Sequence, residues 1–367
     1  MGFSCGIVGL PNVGKSTLFN CLSSARAEAA NYPFCTIEPN VGIVEVPDAR
    51  MQALANVVKP ERILPATTRF VDIAGIVRGA SKGEGLGNKF LSHIRDVDAI
   101  CHVVRCFTDG NVVHVDSTVN PVRDVETIET ELILADMEAV EKRLDRATKM
   151  SKGSDLIEKK ALPFCTELLA HLDQGKPARS FAVADDEDLK KILNDMHLLT
   201  VKPTLFVANV DEEGFDAEKN PHLKALMDLA KGRGDEVLAL CAKIESEVAE
   251  LPPDERRDFL ASLGMASSGL DRLIQTGYRL LGLASYLTAG VKEVRAWTIH
   301  KGMKAPQAAG VIHTDFERGF IKAEVIWWED FVALGGEARC REAGKMRLEG
   351  KEYVVRDGDV MHFKFNV

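Results

Sequence analysis

No stretch of this 367-residue sequence stays apolar long enough to cross a bilayer, and no basic segment precedes an apolar one at the N-terminus. Neither a spanning protein nor an exported one is expected, and no membrane contact. Paired cysteines are missing too. The eight cysteines lie apart at 5, 21, 35, 101, 106, 165, 241 and 340, with no Cys-x-x-Cys. That spacing favours buried reduced thiols and a cytoplasmic location. An excess of positive charge is also lacking. Lys and Arg number 46 against 55 Asp and Glu, a net charge of −9. This argues against a surface coated in basic groups. It leaves room for a local RNA-facing patch, and residues 281–367 come nearest, with 13 Lys/Arg against 12 Asp/Glu.

What the sequence does hold is concentrated at its start. Gly9-Leu10-Pro11-Asn12-Val13-Gly14-Lys15-Ser16-Thr17 follows the apolar run Phe3–Val8 and precedes the helical stretch from Leu18. Strand, Gly-x-x-x-x-Gly-Lys-Ser loop and helix, in that order, is the context of a phosphate-binding loop. Glycines permit the tight turn that aims consecutive N–H groups at phosphate, and the helix start adds partial positive charge. Asn12, Val13, Gly14, Lys15, Ser16 and Thr17 are therefore expected to bind nucleotide. Lys15 should reach the β- and γ-phosphates, and Ser16 should hold Mg²⁺.

A nucleotide switch needs two more parts. The Pro- and Asn-rich stretch from Asn31 to Asn40 reads as a loop, and its Thr36 supplies a mobile hydroxyl that can join Mg²⁺ when a γ-phosphate is present. The apolar run ending at Asp72 offers a carboxylate for the same ion, and Gly75, three residues on, an N–H to sense the γ-phosphate. Four glycines between Gly79 and Gly87 then imply a loop able to rearrange.

Taken together, the phosphate loop, the segment Asn31–Gly42 and the segment Asp72–Gly87 resemble the Obg-related branch of P-loop GTPase-like proteins. Within it the chain is similar to the YchF / Obg-like ATPase family. The fold expected is α/β: an Obg-type P-loop core over 1–127 and 198–280, a helical coiled-coil insertion over 128–197, and a C-terminal β-grasp TGS domain over 281–367. Ile133, Met137, Val140, Leu144 and Ala147 form one heptad-like seam, and Leu162, Cys165, Leu169 and Leu172 a second. They read as an antiparallel hairpin broken at 151–155, with a further helix around Leu189–Met196. In the last segment, 294–299, 322–327, 351–355 and 362–365 read as strands, Asp357–Asp359 as a turn, and Arg339–Met346 as a helix.

Two departures bear on chemistry. A guanine-selective site uses Asn-Lys-x-Asp, whereas this chain has Asn209-Val210-Asp211-Glu212. Glutamate is longer by one methylene, so a carboxylate meant to accept two guanine protons is misplaced. Asn209 can still pair with a purine N7 and 6-amino group, and Val210 and Ala242 complete the expected base site. The resemblance implies ATP as the nucleotide. The second departure is Ile76, where switch GTPases that orient water use Gln. Three routes can compensate: His114 from the loop after the strand ending near Arg105, a monovalent cation such as K⁺ beside Asn12, or a group from a partner. His102 reads as a core residue. Slow intrinsic hydrolysis is expected in each case. The resemblance implies the ribosome or a ribosomal subunit as partner, with RNA contact through the TGS domain and the helical arm. An Obg-type GTPase and a nucleotide-gated scaffold with incidental hydrolysis are the rival readings. A nucleotide kinase is more distant, because kinases lack the Thr36 and Asp72-x-x-Gly75 pair.

Overall fold

The computed structural model describes residues 3–24, 40–73, 86–110, 118–151 and 155–366. Thr36, Gly75, Ile76 and His114 lie outside the described residues. In chain order the first elements are β1 (Ser4–Val8), α1 (Lys15–Ser24), β2 (Val41–Glu45), α2 (Ala49–Val58), β3 (Arg62–Leu64) and β4 (Thr67–Asp72). Then come α3 (Leu86–Arg95), β5 (Ala99–Arg105), α4 (Pro121–Met150), α5 (Leu156–Asp173) and α6 (Glu187–Asp195). The next set is β6 (Thr204–Asn209), α7 (Pro221–Arg233), β7 (Glu236–Leu240), α8 (Ala242–Glu250), α9 (Pro253–Ser262) and α10 (Gly269–Leu280). The last part holds β8 (Leu283–Ala289), β9 (Glu293–His300), α11 (Ala305–Ile312), α12 (Thr314–Arg318) and β10 (Phe320–Trp327). It closes with α13 (Trp328–Leu334), α14 (Glu337–Glu342), β11 (Arg347–Glu349) and β12 (Asp359–Phe365).

Two compact units share the chain. One comprises Phe3–Gly42 and Arg69–Leu273, the other Ile43–Thr68 and Ile274–Val367. The first is built on a six-stranded sheet of order β2-β4-β1-β5-β6-β7. Strands β1 and β5 are buried at every position, as in parallel strands covered on both faces, while β7 at the edge is mostly half-buried. Register lines up the carboxyl ends of the strands: Ile7 pairs with Asp72, Arg105 with Asn209, and Asn209 with Leu240. Loops leaving those ends face one crevice, where ligands of open α/β sheets bind.

The helical hairpin of this unit forms, but on α5 the buried seam runs through Ala161 and Leu168, and the expected Leu162 and Leu169 are only half-buried beside it. Ile133, Val140 and Ala147 of α4 pack against Ala161, Cys165, Leu168 and Leu172 of α5. Asn120 caps α4 by accepting from the Arg123 N–H, and Asp155 caps α5. At its base, buried carboxylates tie α4 to the rest of the unit. Glu129 accepts from Arg179 at 2.8 Å and from Arg233. Asp136 accepts from the Leu199 N–H at 2.7 Å, the Thr200 N–H at 2.8 Å and the Thr200 hydroxyl at 2.6 Å.

The second unit carries a mixed sheet of order β11-β10-β12-β8-β9-β3. Its strand β3 comes from the N-terminal third of the chain and pairs parallel with β9, Arg62 opposite Glu293. Ala308 and Ala309 of α11 pack with Phe320, Val325 and Phe363 on this sheet. The expected strands at 294–299, 322–327 and 362–365 form. The one expected at 351–355 does not. There the Tyr353 N–H turns back to the Gly350 carbonyl at 3.2 Å, Val354 makes only an isolated bridge to Lys304, and pairing moves to β11. The expected helix over Arg339–Met346 starts earlier and ends at Glu342, because Gly344 adopts a φ of 68°, outside the helical range.

Candidate functional site

The phosphate loop begins where the buried strand β1 ends and closes where α1 starts at Lys15. Its conformation needs left-handed backbone twice, at Asn12 (φ 63°) and Gly14 (φ 94°). At Gly14 a second constraint applies, since a Cβ there would lie 2.2 Å from the Asn209 amide nitrogen. Only glycine satisfies both. The Leu18 N–H returns to the Gly14 carbonyl at 3.0 Å, so the loop runs directly into the first helical turn. Lys15 points its ammonium at the Asp72 carboxylate, and the two form an ion pair. Ser16 and Thr17 are exposed beside them. Thus Lys15 and Asp72, 57 residues apart in sequence, meet at the N-terminus of α1, and Ser16 is the next residue of that helix.

At the other end of the crevice stands Asn209, the last residue of β6 and only 4% exposed. Its side chain does something the sequence does not announce. Nδ2 donates to the Val13 carbonyl at 2.9 Å, and Oδ1 accepts from the Ala242 N–H at 3.0 Å. The amide expected to read a purine instead braces the phosphate loop against the start of α8. Val210 is buried, and its N–H donates to the Leu240 carbonyl at 2.9 Å. Beyond it, the Glu212 carboxylate accepts from the Lys243 ammonium at 2.6 Å. Asn12, Val13, Gly14, Asn209 and Ala242 are therefore brought together, while Thr36, Gly75 and His114 lie outside the described residues.

His102 is 2% exposed in β5 and packs against Phe206 at 5.6 Å between ring centroids. Burial drives its pKa down to about 4, so it is a neutral core imidazole, as its mid-strand position suggests.

Two residues were passed over by sequence reasoning. Lys243 is one: its strand end was expected near the base, but its pairing with Glu212 is recognisable only once the two strand ends are adjacent. Arg105 is the other. It is 1% exposed, its Nε donates to the Phe107 carbonyl and its Nη2 to the Asp109 carbonyl, both at 3.2 Å, and its guanidinium lies 4.5 Å from the Phe107 ring centre. It folds the loop after β5 against the strand end. Its signal was an arginine closing the otherwise apolar run Ala99–Val104.

Comparison with known proteins identifies the family. Residues 4–140 match the family model described as 50S ribosome-binding GTPase, and residues 283–366 match YchF-GTPase_C, a protein of unknown function (DUF933). The sequence is 59% identical over 372 residues to the ribosome-binding ATPase YchF of Bacillus subtilis, covering all of both chains. It is 54% identical over 367 residues to the protein of that name from Escherichia coli O157:H7, again in full. The structure of the Schizosaccharomyces pombe YchF GTPase superposes with a TM-score of 0.88 at 39% identity, covering 99% of this chain and 98% of that one. Full-length identity at this level, on a P-loop core carrying a helical hairpin and a β-rich C-terminal unit, shows that the chain belongs to the YchF family.

Proposed function

We propose that this chain is a Mg²⁺-dependent P-loop ATPase that associates with the ribosome and acts in the cytoplasm. The observation that carries the reading is the Lys15–Asp72 ion pair at the N-terminus of α1, in a chain whose full-length relatives are named ribosome-binding ATPases. A helix start where an ammonium and a carboxylate meet, with a hydroxyl on the next residue, fits a hard divalent cation and a phosphate chain together. The ion, when bound, neutralises phosphate charge. Ser16, Asp72 and, from the segment outside the described residues, Thr36 are its proposed protein ligands. Lys15 gives up Asp72 for the phosphates, and the loop N–H groups from Asn12 to Thr17 hold their oxygens. Gly75 is the proposed γ-phosphate sensor.

Adenine is proposed to lie at Asn209, Val210 and Ala242, with Asn209 acting chiefly through the loop it braces. His114 is the proposed water-positioning group, and K⁺ beside Asn12 a second aid to hydrolysis. In the domain reading, 1–127 and 198–280 form the Obg-type core, 128–197 the helical arm and 281–367 a TGS module. Arm and module are the proposed RNA-facing parts. Two measurements on the purified full chain test the function. Mg²⁺-dependent conversion of ATP to ADP and phosphate should disappear in Lys15→Ala, and the chain should sediment with ribosomes. A chain that hydrolyses GTP but not ATP, or stays free of ribosomes in every nucleotide state, contradicts it.

A further inference from the structure

The acidic residue of the base end has a partner. Glu212 follows β6 by three residues, and Lys243 occupies the first turn of α8. The Asn209 brace and the pairing of β6 with β7 set both in place, and the ammonium meets the carboxylate at 2.6 Å. A cation in the first turn of a helix faces the positive end of the helix dipole, so Lys243 is held there by an outside charge. Glu212 is that charge, and it raises the lysine's pKa, through the hydrogen bond first and Coulomb attraction second.

Guanine presents two donors on one edge, N1–H and the exocyclic amine, and a site that selects it needs both oxygens of a free carboxylate. In this chain one Glu212 oxygen is engaged by the Lys243 ammonium, itself a donor that competes with guanine's donors for that carboxylate. Adenine presents no such pair of donors and loses nothing. We infer that Lys243 is a specificity-determining residue: it occupies the Glu212 carboxylate and so withholds it from guanine. This rests on the base site proposed above and adds to it a reason that glutamate length alone does not supply. Lysine removal, on this account, partly restores guanine binding with Glu212 left in place.

The pair is open to solvent, with side-chain exposures of 71% for Lys243 and 54% for Glu212. Neither substitution threatens the fold, and the effect is bounded by what exposed ion pairs supply, about two- to fivefold. Calorimetric affinities for ATP and GTP on the full chain give the test. In Lys243→Ala the ATP-to-GTP affinity ratio should fall by about two- to fivefold, through tighter GTP binding and unchanged ATP binding. In Glu212→Ala the same lysine substitution should leave the ratio unmoved. In the parent, raising ionic strength to about 1 M, where the screening length is about 3 Å, should lower the ratio in the same direction. An unchanged ratio in Lys243→Ala overturns the inference alone. So does an equal loss of both nucleotides, which a lysine stem stacked on the base would give. A parent without preference for ATP removes the base-site reading and the inference with it.

Discussion

The phosphate end and the base end of the crevice sit at the carboxyl ends of parallel strands of one sheet, yet they are built differently. The phosphate end is a local device. Nine consecutive residues, Gly9 to Thr17, form the loop and the helix start, and one distant carboxylate, Asp72, completes it. The base end is assembled from separate strand ends. Asn209 is fixed only by reaching Val13, 196 residues away in sequence, and Ala242, 33 residues away, while Glu212 is met by Lys243. A backbone device tolerates little variation in sequence, so it announces itself as a pattern. A side-chain device depends on which segments the fold brings together, so its meaning emerges only from the packed structure.

If the phosphate end is the chemical one, the largest effects should come from groups that act on the phosphates and the water. His114→Ala should lower turnover at saturating ATP by roughly ten- to a thousandfold, with ATP affinity nearly unchanged. Steady-state kinetics alongside a binding isotherm would check both halves. Lys15→Ala removes a charge-assisted contact worth about 1.5–3 kcal/mol, hence roughly ten- to a hundredfold in affinity for ATP and GTP alike. A loss confined to one of the two nucleotides would blur the division between the ends.

Asn209→Ala sharpens the comparison from the other side. It strands the buried Val13 carbonyl and the Ala242 N–H, a cost of about 1–3 kcal/mol in unfolding free energy. Because the amide acts on the loop, both nucleotides should weaken together. Selective loss of ATP would instead give Asn209 direct contact with the base.

A fourth prediction concerns the sheet that carries both ends. His102 is held neutral, with its pKa lowered from 6.5 to about 4 by burial. Between those values the unfolded chain binds the extra proton and the folded one does not, so folding stability falls as pH drops through this window. From pH 7 to pH 5 this group alone removes about 2 kcal/mol. Denaturant titrations at the two pH values, compared with His102→Phe, should show that part of the loss vanish in the variant.

How much was legible beforehand follows the same division. The loop was readable because its pattern encodes backbone geometry, and Asp72 stood out as the charge that ends an apolar strand run. The hairpin was readable because heptad-like spacing survives without tertiary context, although the buried face of α5 takes Ala161 and Leu168 where Leu162 and Leu169 were expected. The role of Asn209 was not, because an amide that can pair with a purine can equally pair with a carbonyl and an N–H. Nor was β3 readable as an edge strand beside β9, since three residues with two exposed carry no periodicity. The strand expected at 351–355 failed for a related reason. Tyr353, Val354 and Val355 are residue types that favour strands, but Gly350 and the bond from the Tyr353 hydroxyl to Asp359 at 2.7 Å make a turn there instead.

The central claim is that the base end, with Val210 and a Lys243-bound Glu212, has given up guanine while the phosphate end keeps the machinery of a switch. Side-by-side calorimetry of ATP and GTP on the unmodified chain with Mg²⁺ tests it most directly. The account predicts that ATP binds at least about tenfold tighter, roughly 1.4 kcal/mol. Equal affinities, or tighter binding of GTP, would contradict it.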